Sequence, residues 1–410
     1  MTQSRPARIP LTSDQWHAVS ASFLGWTLDA FDFFVAIFLV ETLAAQFHVS
    51  ASKIIDTTWA TLAMRPVGAV IFGFLADRYG RRTPLMANVV FFSIVELLCG
   101  FAPNYTVFLI LRTIYGIGMG GEWGVGSSLA MESVPAKWRG TISGIVQSGY
   151  STGYLLAAVA AKTVLPLWGW RAMFWAGGLP ALLAFYIRWK VKETEAWKQN
   201  RMPGFGLIAK AAAAHWRLFL YLIGLMGLMN FLSHGTQDLY PHFLQSTHGF
   251  STSTVANIAI FYNVGALVGA LIFGKLSERI GRRRSLVGAT ALALCVIPAW
   301  AFGKGLGVLA IGAFLMQVGV QGAWGIIPAH LNELSPGEVR GLLPGLAYQL
   351  GNFVASPVNR IEDALHYRVG YGWALAGFET AVILFLAVVV SLGPESKGKQ
   401  FVTETRATPG

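Results

Sequence analysis

Four sets of polar and ionisable residues interrupt otherwise apolar sequence, and each could do chemistry with protons or anions. The first is Asn230-Phe-Leu-Ser233-His234-Gly-Thr236-Gln237-Asp238-Leu-Tyr240-Pro241. On a helix Asn230, Ser233, His234, Gln237, Asp238 and Pro241 share one face. His234 and Asp238, four apart, are close enough to share a proton or pair as ions, and imidazole changes charge near neutral pH. Such a stripe lines a water-filled cavity or binds a neighbouring helix by hydrogen bonds; six positions exceed what the second needs. The second set is Asp29, Asp32, Arg65, Arg112 and Glu122. A carboxylate ligand needs a cation or several donors, and Arg65 and Arg112 are the only basic residues well inside apolar runs. Arg112 is assigned the ligand carboxylate, with pairing to an aspartate of the first helix as its alternative; Arg65 is assigned to Asp29 or Asp32. Asp29, Asp32, Glu122, His234 and Asp238 are the proton-carrying candidates, although the glycines around Glu122 also fit close helix packing. A third set, Tyr348 and Asn352, adds polar ligand contacts to Asn230, Ser233, His234 and Gln237. The fourth set is Asp77, Arg78, Arg81, Glu132 and Arg139, with Glu278, Arg279, Arg282, Glu333 and Arg340: charges at helix ends, suited to latching and gating.

The surrounding sequence fixes what positions them. Of 410 residues, 54% are hydrophobic and 12% charged, against about 25% charged in soluble domains, and the mean hydropathy is +0.53. A soluble enzyme and a disordered chain are both excluded. A spanning helix needs about 20 apolar residues, and twelve runs qualify: 18–41, 54–77, 85–102, 106–129, 141–165 and 171–189, then 216–243, 255–277, 285–303, 306–330, 342–365 and 370–392. This predicts an all-α membrane protein of two six-helix bundles, 18–189 and 216–393. They are flanked by terminal segments 1–17 and 394–410 and joined by a charged linker, 190–215, containing Pro203 and Gly204.

Of the 31 Lys and Arg, only Lys53, Lys162, Arg171, Lys304, Arg360 and Arg368 fall toward one side; all but these and the two inside spans fall on the other. That places both termini in the cytoplasm. The net charge of +11 then faces anionic lipid, not nucleic acid. Cys99 and Cys295 lie in apolar runs, so no disulfide framework is expected. Metal-ligand clusters, nucleophile motifs and phosphate loops are absent from the sequence pattern, so neither an enzyme nor a metal site is expected.

The two bundles repeat each other at an offset of 201 residues. Gly73-Phe-Leu-Ala-Asp77-Arg78-Tyr-Gly80-Arg81-Arg82 returns as Gly274-Lys-Leu-Ser-Glu278-Arg279-Ile-Gly281-Arg282-Arg283; Glu132 to Arg139-Gly140 returns as Glu333 to Arg340-Gly341; Trp123-Gly124 returns as Trp324-Gly325. Six helices per copy make these parallel repeats about an axis along the membrane normal, an arrangement that rocks around a central site. The charges do not repeat. Asp29, Asp32, Arg65 and Glu122 correspond to Asn230, Ser233, Ala266 and Ala323. The first half is therefore expected to carry much of the proton chemistry and the second the polar ligand contacts.

Gly73 to Arg82, and its copy from Gly274, resemble the signature loops of the major facilitator superfamily. Arg112-Thr-Ile-Tyr-Gly116-Ile-Gly118 resembles the fourth-helix motif of its proton-coupled members. The Asn230 to Asp238 segment, with Leu28-Asp29-Ala-Phe-Asp32-Phe and Gly120-Gly121-Glu122-Trp123-Gly124, is similar to Jen-type lactate/pyruvate permeases of the sialate:proton symporter family; Pro241-His242 departs from that pattern. The resemblance implies a monomeric plasma-membrane or bacterial inner-membrane transporter that carries a small organic anion with protons and needs no cofactor beyond the coupling proton. A short monocarboxylate is the expected substrate, a larger sialic or aromatic acid the alternative, and a proton-driven exporter a further one.

Overall fold

The structure, a computed structural model, describes residues 10–202 and 204–402. Residues 1–9 and 403–410 of the predicted terminal segments, and Pro203 of the linker, lie outside the described residues. The first half comprises α1 (Ser13–Phe38), α2 (Val40–Phe47), α3 (Ala51–Tyr79), α4 (Arg82–Cys99), α5 (Tyr105–Ser133), α6 (Arg139–Ala176) and α7 (Pro180–Lys190). Two short helices follow, α8 (Glu195–Asn200) and α9 (Phe205–Ala214). The second half holds α10 (Trp216–Gln237), α11 (Tyr240–His248), α12 (Thr252–Ile280), α13 (Arg282–Phe302), α14 (Leu306–Trp324), α15 (Ile327–Leu334), α16 (Leu343–Ala355), α17 (Val358–Val369) and α18 (Tyr371–Leu392). No strand occurs among the described residues.

Local chemistry sets the ends. Thr12 and Gln15 form a capping box on α1, and Ser50, Asn104 and Ser251 each accept a backbone N–H at the start of α3, α5 and α12, satisfying donors that the first turn cannot pair internally. Several predicted single spans are broken instead. The run 216–243 is interrupted at Asp238–Leu239 ahead of Pro241, 306–330 at Gly325–Ile326 ahead of Pro328, and 342–365 at Ser356–Pro357. Proline has no N–H to give the preceding turn, and hydropathy alone does not register that loss. Gly169, at φ 75°, divides α6 between the predicted spans 141–165 and 171–189. The linker is not irregular: it folds into α8 and α9, and Ile208 of α9 is buried with Val339 and Leu343.

Among the described residues eight helical stretches are long and apolar enough to cross a membrane by length and composition, two of them running across the breaks between α10 and α11 and between α14 and α15. The remaining rods of the twelvefold arrangement are kinked, or carry glycines and charges. Within the halves α3 packs on α5, α1 on α6, α12 on α14 and α10 on α16; between them α6 meets α12, and α16 meets α3 and α5. Glycine permits these approaches. A Cβ on Gly124 would lie 2.7 Å from the Gly345 Cα, and one on Gly144 would lie 2.3 Å from the Ala270 carbonyl oxygen, so the halves meet backbone to backbone. Both cysteines are free, Cys99 buried and Cys295 exposed.

Candidate functional site: a central cavity between the halves

The breaks in α10/α11 and α16/α17 surround a cavity of 360 Å³. Its walls are Trp26, Phe33 and Phe34 of α1, Leu62 of α3, Gln147 and Tyr150 of α6, the α10 stripe, Gln321 and Trp324 of α14, Tyr348 of α16 and Asn359 of α17. Asn230, Ser233, His234, Gln237 and Asp238 all reach it. The face predicted from periodicity is the face that is wet: His234 and Asp238 side chains are 33% and 35% exposed.

Hydrogen bonds hold the stripe in shape. His234 Nδ1 lies 3.2 Å from Asp238 Oδ2, and its Nε2 lies 3.1 Å from Asn352 Oδ1. With an acceptor at each ring nitrogen, this is a setting that an imidazolium satisfies fully. Asn359 Nδ2 donates to Asp238 Oδ2 at 3.2 Å. Gln237 Nε2 donates to Ser233 Oγ at 3.2 Å and to Gln317 Oε1 at 3.0 Å. Asn230 turns inward and donates to its own helix at Met226 O, 2.7 Å. Asn352 reaches the site through His234 and lines a side pocket of 200 Å³ with Trp59 and Phe353. Tyr348 packs against Trp26, Trp123 and Trp324.

The first-half charges are arranged differently from the sequence expectation. Arg112 does not reach the cavity. It is fully buried, donates to Glu96 Oε2 at 2.7 Å and lies over the Tyr115 ring. The Tyr115 hydroxyl in turn donates to Asp29 Oδ1 at 3.2 Å. The assignment of Arg112 to a ligand carboxylate is corrected for this conformation: the guanidinium lies outside the cavity and its charge is matched by Glu96, although its Nε and Nη2 have no hydrogen-bond partner. The alternative, an aspartate of the first helix, is also replaced, by Glu96. Sequence reading missed Glu96, although a lone carboxylate inside the third predicted span was signal enough.

Arg65 makes no ion pair with Asp29 or Asp32. Its guanidinium lies 5.3 Å from the Tyr348 ring centroid, and its Nε and Nη2 atoms have no hydrogen-bond partner. Both oxygens of Asp32, both of Glu122 and Oδ2 of Asp29 are likewise buried and unpaired. Glu122 presses on Gly25, where a Cβ would sit 2.4 Å from its Oε1.

At the end where α3 turns into α4 and α12 into α13 the halves are closed by charges. Arg81 donates to Asp77 at 2.7 Å and to Glu132 at 2.9 Å, and Asp77 also accepts from the backbone N–H of Gly341 and Leu342 across the interface, at 2.7 and 3.0 Å. Arg282 pairs with Glu333 at 2.9 Å, and Glu278 accepts from Thr141 N at 2.8 Å. The two latches are not separate, as sequence reading had them. Arg340 crosses to Glu132 at 3.3 Å, and Arg139 crosses to Glu333 at 3.7 Å. Arg78 lies apart, reaching Met202 O at 3.5 Å, and Arg279 contributes its carbonyl to Lys397. Two capping carboxylates were missed. Glu193 accepts from Arg81 N and Arg82 N, and Glu395 from Arg282 N and Arg283 N. Thr194 and Ser396 beside them donate to Glu132 and Glu333. The paired Glu-Thr and Glu-Ser were readable as a repeat, at an offset one residue longer than the rest.

A family model described as Major Facilitator Superfamily matches residues 22–358 and 225–405. The chain belongs to the Major Facilitator Superfamily. Among similar members, a "Carboxylic acid transporter protein homolog" of Saccharomyces cerevisiae is 33% identical over 388 residues; the match covers 87% of this chain, which spans only 62% of that protein. A "Probable 4-methylmuconolactone transporter" of Cupriavidus pinatubonensis is 30% identical, with 92% of this chain and 90% of that protein covered. Among solved structures, the proton:xylose symporter XylE bound to 6-bromo-6-deoxy-D-glucose superposes with a TM-score of 0.77 at 21% identity, covering 95% of this chain and 98% of that one. The chain is a multi-pass membrane protein, and fold and relatives are those of transporters, not of enzymes.

Proposed function

We propose that this chain carries an organic acid across the cell membrane together with a proton, by alternating access. A short monocarboxylate such as lactate or pyruvate is the leading substrate. The observation that carries this is the His234–Asp238 pair within a donor-rich stripe, open to a cavity whose other end is shut by ion pairs. The basic side of the molecule lies in the cytoplasm, which makes this conformation the outward-facing one. Relatives named for carboxylic acid and 4-methylmuconolactone transport support the substrate class.

Arg65 replaces Arg112 as the cation for the substrate carboxylate. Unlike Arg112 it makes no ion pair among the described residues, and it sits against Tyr348 of the cavity wall. Asp29, Asp32 and Glu122 lie behind it as proton carriers, and Asp238 exchanges a proton with His234. Symport of one anion with one proton is electroneutral, so a pH gradient drives it, at about 1.4 kcal/mol per unit. A second reading, a larger aromatic or sialic acid, is favoured by the aromatic walls and by a volume of 360 Å³, within the ~300–1,000 Å³ that holds drug-sized ligands.

Labelled lactate uptake into proteoliposomes, acidic outside, with the membrane potential clamped at zero, tests the proposal. Accumulation that a protonophore abolishes is expected. Absence of uptake in folded protein removes the lactate reading, and competition by larger acids in the same vesicles decides the second.

A further inference from the structure

Behind the α10 stripe, away from the cavity, lie two carboxylates that the transport scheme does not use. Glu362 of α17 and Glu379 of α18 are 1% and 0% exposed, and none of their four oxygens has a hydrogen-bond partner. They converge on Gly235 of α10: a Cβ there would sit 2.0 Å from Glu379 Oε1 and 3.0 Å from Glu362 Oε1. The glycine leaves the gap into which both carboxyls point. Asn359, one turn before Glu362, donates to Asp238, while its own Oδ1 is buried without a partner. Further along the same helix His366 stacks on Tyr371 with its Nδ1 unpaired.

These atoms are nearly all acceptors. Two ionised carboxylates cannot share a buried, cation-free gap, because desolvation and mutual repulsion both act against the charged forms. The titratable group that acts on the pair from α10 is Asp238, each carboxyl otherwise facing the other; Arg360 and Arg368 of α17 are exposed. Among the described residues no group of three or more His, Cys, Asp or Glu is placed to hold a metal ion. A proton is the ligand that turns two competing acceptors into a donor and an acceptor.

We infer that Glu362 and Glu379 form a second proton-binding site, a carboxyl pair sharing a proton that clamps the outer half-helix α17 onto α10 and α18. The clamp holds the half-helix that follows the Ser356–Pro357 break against the last turn of α10, just before the Asp238–Leu239 break, so loss of the proton leaves two repelling charges beside a half-helix that is free to swing. No bond other than the carboxyl O–H is made or broken, and the proton is exchanged with water on the cavity side. The pair's part in transport rests on the proton-symport reading above; its protonation does not.

Infrared difference spectra of the full chain in proteoliposomes, recorded between acidic and alkaline buffers without substrate, read buried carboxyls directly. A protonated-carboxyl band is expected to persist at neutral pH in the wild type, and E362Q and E379Q are each expected to remove part of it. A band left intact by both substitutions overturns the proposal. Gly235→Ala keeps both acids but fills the gap, so the band is expected to shift; an unchanged band also counts against the site. A band that rises when sodium is replaced by a bulky organic cation assigns the site to sodium, not to a proton. In the same vesicles E379Q is expected to keep exchange of internal for external lactate while the pH dependence of net uptake flattens. If the wild type carries no lactate the substrate reading fails alone, because the infrared experiment still decides the pair.

Discussion

Arg65 and Arg112 put the same side chain into different surroundings within the first half. Arg112 is paired with Glu96 with both side chains fully buried, whereas Arg65 makes no ion pair among the described residues and lies over Tyr348 of the cavity wall; each keeps its Nε and Nη2 without a partner. Removing one partner of a buried ion pair leaves an uncompensated charge, at a cost of about 3–5 kcal/mol. Arg112→Ala is therefore expected to lower the unfolding temperature sharply, and the double change with Glu96→Gln to recover part of the loss, as thermal unfolding in detergent would read. Arg65→Ala is expected to leave unfolding nearly unchanged while weakening substrate binding about tenfold or more, the equivalent of a charge-assisted hydrogen bond. Lactate binding by calorimetry checks it. Equal destabilisation by both changes would remove the distinction.

At the scale of helices, close approach and end-capping decide the arrangement. A Cβ on Gly120 would lie 1.9 Å from the Arg65 carbonyl oxygen, and one on Gly68 would lie 1.8 Å from that of Ile117. Overpacking costs about 1–3 kcal/mol. Gly120→Ala is expected to lower stability by that amount and to shift Arg65, so binding and unfolding would change together. Glu395 holds the start of α13. Burial acts against its charge, yet the N–H groups of Lys397, Arg282, Arg283 and Ser396 hold its carboxyl below the usual carboxylate range. A folded value below the unfolded one, about 4.3, contributes stability above that pH and loses it as pH falls through the folded value. Glu395→Gln is expected to be less stable than wild type at neutral pH and equal to it in strong acid, as unfolding against pH would show. The rods, the repeat and the α10 stripe were legible in the sequence because periodicity and hydropathy are local. The partner of Arg112, the crossing of Arg139 and Arg340, and the convergence of Glu362 and Glu379 on Gly235 were not. Each joins residues that share no local pattern and meet only when helices pack. The breaks near Pro241, Pro328 and Pro357 lay between: the prolines were visible, but an apolar window runs through them.

For the whole molecule, the ion pairs of the closed end bind the two halves to each other, while at the cavity end side chains of α1, α3 and α6 from one half and of α10, α14, α16 and α17 from the other line a gap. Glu132 joins Arg81 of its own half to Arg340 of the other. Glu132→Gln is expected to change the rate of uptake several-fold while leaving the ranking of competing acids unaltered; a changed ranking would place Glu132 in the binding site. The backbone contact of Gly124 with Gly345 has its own consequence. Two surfaces that meet without side chains have nothing to interlock, so one can roll on the other as in a plain bearing, with no ratchet of rotamers to climb over. The two resting positions are then set at the rims, by the charges at one end and the cavity at the other. A methyl group placed at Gly345 would act as grit in that bearing, slowing the turn in both directions and leaving the resting positions where they are.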